Sequence, residues 1–379
     1  MKLFQKLKQA NKDRTPKVLI TILPLSCLGG VSNYYRVVKR YLADVKEIRF
    51  YEHGGGRSGI GILAAMITEP IQFLSALVRN NCKLVHLNPS LHSHDVVRNG
   101  AYLLLAKLMG KKVIVFWRGW NNSIESLIHK RFKTIFSAVF NRADLTLVLA
   151  TEFKKKLESL GIDHKIMITS TIVDTSLASE PSPPGDSHKQ LMFMSRLVKE
   201  KGPLETIDAF RLLKDDHPDL RLSVAGDGPE KTMLEKKYGH LEGLCFHGYL
   251  NETDKFDLMA RSNLFIFPTR YGEGMPNCVL EAMAAGLPVV TRAVGGIRDF
   301  FLPGRHGLLV DNGDPREVAD AVNTLLKDEN LRKSISDFNR SYAMSHFSAT
   351  IVSEYLIDIY RAVCYQTLDE MPDKWFMAH

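Results

Sequence analysis

Short apolar runs alternate with helix-length amphipathic stretches along nearly the whole chain, and this alternation limits what it can fold into. Residues 17–23 (KVLITIL) read as a buried strand, followed by a helix pattern over 31–42. Strand runs at 45–51, 83–87, 112–117, 145–149 and 165–169 follow, with helix patterns at 60–77, 96–109, 123–141 and 152–160 between them. Strands separated by helices must pair in parallel, because the crossover has to return the chain to the same end of the sheet. A second series begins at 191–194 and continues through helix 203–213, strand 220–225, a helix to 238, strand 244–246, helix 252–260 and strand 264–267. The intervening SLASEPSPPGDSH (176–188) is rich in Pro, Ser and Gly, has no apolar period, and reads as a linker. The pattern predicts an α/β chain with two doubly wound, Rossmann-like parallel-sheet domains, 1–175 and 189–345, and a C-terminal helix and tail, 346–379, packing back toward the first.

At 379 residues, 45% hydrophobic and 24% charged, the chain has enough apolar content for two cores. Its longest apolar stretch, 101–117, is interrupted by Lys107, Lys111 and Lys112, so no spanning helix is expected. Five scattered cysteines without metal-type spacing fit a reducing cytoplasm and argue against a zinc site. The net charge of +8 favours anionic partners. The basic residues are dispersed and not interleaved with aromatics, which argues against nucleic acid. At the start, Leu3, Phe4 and Leu7 sit at helical spacing among Lys2, Lys6 and Lys8, which fits either a membrane-surface helix or a frayed terminus.

Several strand ends carry residues suited to a polar ligand. Gly29 and Gly30 precede the first helix and let its N-terminus meet a phosphate or a hydroxyl; a plain turn is the other reading. Gly54, Gly56 and Gly59 satisfy G-x-G-x-x-G, but the next strand ends in Asn88-Pro89 and not in the acidic residue a dinucleotide site wants, so they read as a mobile glycine loop. FWRGWNN places Trp117, Arg118 and Trp120 at a strand end, suited to a sugar ring, an anion or ordinary packing. In the second series, Arg196 and Lys201 flank a strand end and a helix start, a pairing that suits a diphosphate. Glu273 lies in the loop after 264–267, and Glu281, eight residues later, lies one turn into a helix opened by Pro276. They are either two carboxylates facing one ligand or a turn residue and a solvated helix residue.

Taken together, SRLVKEKG, VAGDGPE, FHGYL, FPTRYGEGMPNCVLEAMAAGLPVV and GDP resemble, in order and spacing, the retaining glycosyltransferases of family four, whose Glu-x7-Glu motif GEGMPNCVLEAMA matches. The resemblance covers most of the chain and implies a GT-B fold with a cleft between its two domains. It also implies a role for each site residue. Glu273 would hold donor-sugar hydroxyls, with the backbone of Gly274, Met275 and Asn277 around Pro276, which has no N–H. Glu281 would bind the ribose, and Arg196 and Lys201 would neutralise the diphosphate without a metal. Gly29 and Gly30 would approach the phosphates, and Gly248, Tyr249 and Leu250 would lie near the base. The sequence departs from the family where a His-Gly is usual and Arg118-Gly119 stands, so Arg118 is carried as a site residue in place of that His. It also has Thr171-Ile172-Val173-Asp174 where Asn-Gly-Val-Asp is common.

The implied activity is retaining, metal-independent transfer of a sugar from a nucleotide-diphosphate sugar, UDP- or GDP-linked, with no separate cofactor. The implied acceptor is a glycan or lipid-linked oligosaccharide in bacterial surface polysaccharide synthesis. The implied place is the cytoplasm or the anionic inner face of its membrane. A sugar-nucleotide epimerase and a non-enzymatic binding module of the same fold are the alternatives.

Overall fold

The computed structural model describes residues 15–27, 29–54, 60–178 and 189–374. The amphipathic start, Gly56 and Gly59 of the glycine-rich loop, and residues 179–188 of the linker lie outside them. The chain divides into two compact units, Met1–Ile172 with Ala349–His379, and Val173–Ser348.

The first unit is built on β1 (Val18–Ile22), α1 (Gly30–Tyr41), β2 (Ile48–Glu52), α2 (Ile60–Asn80), β3 (Leu84–Leu87), α3 (Ser93–Leu108) and β4 (Lys112–Phe116). It continues through α4 (Asn122–Leu127), a π-helical stretch Ile128–Phe132, α5 (Lys133–Phe140), β5 (Leu145–Val148), α6 (Thr151–Ser159) and β6 (Ile166–Ile168). The six strands are all parallel in the order β2-β1-β3-β4-β5-β6. Central strands read as largely apolar runs because helices cover both faces; every residue of β1, β3 and β5 is buried, the polar Thr21, His86 and Thr146 included. The order reverses between β1 and β3, so the loops after these two strands flank the ligand crevice of such a sheet. β2 lies at the edge, away from that point, and the Gly54 amide at its end is taken by the Glu69 carboxylate at 3.3 Å.

The helix expected over 123–141 is interrupted. The Asn121 side chain caps Ser123 and Ile124, and the π turn then inserts an extra residue. That insertion lets Ile128 and Phe136, eight apart, both turn inward. Trp117 packs on Phe136 and Phe140 at ring distances of 5.8 and 5.1 Å, and Trp120 stacks on Phe153 with its N–H on Glu125 at 2.6 Å. Trp117 is therefore a buried packing group, while Trp120 is held on Phe153 and stays half-buried.

The second unit comprises β7 (Gln190–Met194), α7 (Pro203–Leu213), β8 (Arg221–Ala225), α8 (Lys231–Tyr238), β9 (Leu244–Gly248), α9 (Glu252–Ala260) and β10 (Leu264–Phe267). It is completed by α10 (Asn277–Ala284), β11 (Val289–Thr291), a short α11 (Ile297–Phe300), β12 (Gly307–Leu309), α12 (Pro315–Lys327) and α13 (Glu329–Phe347). Its sheet is also fully parallel, β12-β11-β10-β7-β8-β9, and reverses between β7 and β10. Asp314 caps α12 through the Arg316 amide, with Pro315 at the first helical position.

The last helix, α14 (Ala349–Tyr365), belongs to the first unit, where the Tyr360 hydroxyl meets His86 Nδ1 at 2.7 Å. The tail follows it there: Lys165 donates to the carbonyls of Leu368 and Met371, and the Ile168 amide to that of Asp373.

Candidate active site

The loops after β7 and β10 leave adjacent parallel strands at the reversal point of the second sheet, and glycines lock them together. Gly202 adopts a left-handed conformation (φ 83°), and a Cβ there would stand 2.9 Å from the carbonyl oxygen of Pro268 in the loop after β10. The Arg270 and Tyr271 amides donate to the Glu200 carbonyl at 2.7 and 3.1 Å. On the other side Gly295 (φ 50°) lies so close that a Cβ would fall 1.9 Å from the Glu273 carbonyl oxygen, which also accepts the Gly296 amide at 2.9 Å. The Glu273 loop is thus clamped between the β7–α7 turn and the loop after β11.

Within this frame Lys201 forms an ion pair with Glu273, both side chains nearly buried. The Lys201 ammonium also sits 4.5 Å from the Tyr271 ring centroid and 5.6 Å from that of Phe267. Next to Glu273, the amides of Gly274 and Met275 donate to no acceptor among the described residues, leaving two N–H groups for a ligand. Pro276 is the N-cap of α10 and Asn277 its first residue. Desolvation, then the neighbouring carboxylate of Glu273, holds the Cys278 thiol far above the ordinary thiol range, so it stays protonated.

Glu281 is buried in α10 and pairs with Lys255 of α9 at 2.8 Å, while Lys255 also meets Glu252 at 2.9 Å. Burial raises the Glu281 carboxyl above its ordinary value, with Lys255 pulling the other way. The Lys255 ammonium is also held above its usual range: burial opposes its charge most strongly, but two carboxylates together outweigh that. The asymmetry follows from the count, since Lys255 has two anions and Glu281 shares one cation. One Glu281 oxygen is thereby occupied and the other is left for a ligand.

The remaining expected residues differ in how enclosed they are. Arg196 is exposed, and its side chain has no hydrogen-bond or ion-pair partner among the described residues. Gly248 ends β9 with φ 65°, accepting the Gly226 amide at 2.7 Å; Tyr249 is exposed and Leu250 half-buried. In the first unit Gly29 is the N-cap of α1, with open space where a Cβ would stand, and Gly30 opens the helix. Arg118, after β4, is buried against the rings of Tyr34 and Phe116, 4.0 and 4.3 Å from its guanidinium carbon. Sequence reasoning missed Lys255, which reads as an ordinary (i, i+3) partner of Glu252. A cavity of about 530 Å³ opens among Glu205, Arg270, Arg292 and Asp314, but none of Lys201, Glu273 or Glu281 lines it. Among the described residues, no cluster of His, Cys, Asp and Glu could hold a metal ion, and no helix is long and apolar enough to cross a membrane.

Residues 175–342 match the family of glycosyl transferases group 1. That span contains Arg196, Lys201, Glu273, Glu281 and Lys255, so both ion pairs lie inside the matched stretch. The chain is 29% identical over 220 residues to the uncharacterized glycosyltransferase YqgM of Bacillus subtilis, 56% of this chain and 60% of that one. It is 31% identical over 174 residues to the capsular polysaccharide biosynthesis glycosyltransferase CapM of Staphylococcus aureus, 44% of each. The chain therefore spans about half the length of these relatives. Among solved structures, Anabaena HepE, crystallised with UDP and glucose, superposes with a TM-score of 0.69 at 16% identity, covering 92% of this chain and 100% of that one. Two six-stranded parallel sheets with flanking helices, together with this likeness, give the fold class as α/β, GT-B.

Proposed function

We propose that the chain is a retaining glycosyltransferase that moves a sugar from a nucleotide-diphosphate sugar to a glycan or lipid-linked saccharide in the assembly of a surface polysaccharide. One observation carries this reading: two enclosed lysine–glutamate pairs, Lys201–Glu273 between the loops after β7 and β10 and Lys255–Glu281 between α9 and α10, stand in a stretch matching group 1 glycosyl transferases. In it, Glu281 accepts ribose hydroxyls on the oxygen that Lys255 leaves free. Glu273 accepts hydroxyls of the donor sugar, and the Gly274 and Met275 amides donate to it. Lys201 has three N–H donors, and one suffices for Glu273. The others, with the exposed Arg196 guanidinium, face the diphosphate.

The chemistry asked of these groups is electrostatic. The bond from the anomeric carbon to the diphosphate oxygen breaks, and the bond to the acceptor oxygen forms on the same face. The acceptor proton passes to the departing phosphate oxygen. Charge grows on that leaving group, and fixed cations stabilise it more in the transition state than in the ground state. No carboxylate is set aside as a nucleophile, since Glu273 and Glu281 each hold a lysine. The +8 net charge suits an acceptor on an anionic membrane face.

Incubation with UDP- and GDP-sugars and saccharide acceptors, followed by NMR of the product, tests the reading. It predicts a glycoside with the donor's anomeric configuration, lost in Glu281→Ala. An inverted product would refute the mechanism, and an epimerised nucleotide sugar without transfer would refute the activity.

A further inference from the structure

We propose that Arg118 is the centre of an oxyanion-binding site in the first unit, taking a carboxylate or phosphate group carried by the saccharide substrate. Only the choice of a saccharide rests on the function proposed above; the site itself stands on the surroundings of Arg118.

Arg118 is 8% exposed, and its Nε and Nη1 reach no acceptor among the described residues. Other enclosed cations here are matched by carboxylates: Lys255 by Glu281 and Glu252, Lys201 by Glu273, and Arg98 by Asp95. A guanidinium cannot escape burial by losing its proton, as a lysine can. Its neighbours do not supply the missing anion. The Tyr34 and Phe116 faces lie 4.0 and 4.3 Å from its central carbon and offer ring quadrupoles and the neutral Tyr34 hydroxyl, not an anion. Burial keeps the Tyr34 and Tyr35 phenols protonated despite Arg118, and the Tyr35 hydroxyl donates to Asn88 Oδ1 at 2.5 Å. His86, buried alongside, stays neutral: burial first, and then the Arg118 charge, push it down to about 3.

The backbone holds this side chain in place. The Arg118 amide donates to the Pro89 carbonyl at 2.9 Å, and the Leu91 amide to that of Gly119 at 2.9 Å. Arg118 is thus tied to the loop after β3, beside the reversal point of the sheet. Tyr34 is the fifth residue of α1, so the uncapped N-terminus of that helix opens at the same end. A positive helix end and a guanidinium with no carboxylate partner among the described residues, both at the same end of the sheet, favour an anion there. Stacking alone would not need the charge; an oxyanion would use it.

Titration of the full chain with sodium D-glucuronate and with inorganic phosphate, at ionic strength fixed by potassium chloride and with D-glucose as the neutral control, tests the proposal. At least one anion should bind with 1:1 stoichiometry and glucose should not. Arg118→Met should bind that anion about tenfold more weakly or worse. Without anion, Arg118→Met should melt no lower than the parent, because it removes an unmatched charge and keeps the apolar stem. Glucuronate alone assigns the site to an acidic sugar, phosphate alone to a phosphorylated one, and both to the shared chemistry. In 15N–1H spectra an arginine Nε–H resonance, absent from Arg118→Met or Arg118→Lys, should shift as the anion is added. The proposal is overturned if neither anion binds the parent more tightly than the variant, if Arg118→Met melts well below the parent in anion-free buffer, or if no arginine Nε–H moves. The probes carry no nucleotide, so loss of the nucleotide-sugar reading would leave this result standing.

Discussion

Replacing Lys255 by Met removes the only cation bonded to the buried Glu281 among the described residues while keeping most of the volume of the stem. Breaking one side of a buried pair costs about 3–5 kcal/mol when the remaining charge stays ionised. Glu281 escapes part of that by taking up a proton, since burial already raises its pKa and the substitution removes the lysine that lowers it. The pH dependence follows from the sign of that shift. A carboxyl whose folded pKa lies above its unfolded value of 4.5 favours folding below 4.5 and loses that contribution as pH rises through the folded value. The variant should therefore be close to the parent in stability in acid and fall progressively behind it as pH rises. Ligand binding should change as well. A protonated Glu281 no longer offers charge-assisted acceptance, worth about 1.5–3 kcal/mol, so nucleotide-sugar affinity should drop roughly 10- to 150-fold. Urea denaturation across pH gives the first quantity and calorimetric titration the second. Adding Glu281→Gln to Lys255→Met should recover part of the stability and none of the affinity. If the two single losses simply add, or if Lys255→Met binds nucleotide sugars like the parent, the coupling is absent and the reasoning fails.

Further expectations concern other parts of the chain. Gly295→Ala must push the Glu273 carbonyl aside from a 1.9 Å clash at φ 50°, so it should cost more than about 1–3 kcal/mol in thermal denaturation and weaken donor binding with it. Arg196→Ala removes an exposed side chain with no partner among the described residues; stability should stay within about 0.5 kcal/mol while nucleotide-sugar affinity falls and its salt dependence shrinks. His306 is pushed down to about 4, mainly by burial, so it is neutral when folded and charged in the unfolded chain below 6.5. Stability should therefore decline as pH falls from 6.5 toward 4, and His306→Phe, though less stable at pH 7, should flatten that decline in pH-resolved denaturation.

The sheet was legible in the sequence wherever burial on both faces made the code simple. LFIF of β10 is an unbroken apolar run and VLITI of β1 is broken only by Thr21, and the structure places strands at both. The Glu273 loop was legible because Gly, Pro and Glu are each chemically constrained in such a turn. What stayed hidden depends on three-dimensional neighbours. Lys255 lies 26 positions from Glu281, and only the packing of α9 beside α10 turns a surface-like charge into the partner of a buried one. The π turn at Ile128–Phe132 is a one-residue shift in hydrogen bonding, which amphipathic periodicity smooths over. At Arg118 the sequence displayed an arginine beside tryptophans; the structure surrounds it instead with Tyr34, Tyr35 and Phe116, two of them more than 80 positions away.

The most direct test of the account is isothermal titration of the full chain with UDP-, GDP- and ADP-sugars, run in parallel on Glu281→Ala. The account predicts that one nucleotide sugar binds at a single site and that Glu281→Ala, folded by circular dichroism, loses at least about tenfold in affinity for it. Binding of equal strength to the parent and to Glu281→Ala, or no binding of any nucleotide sugar, would contradict it.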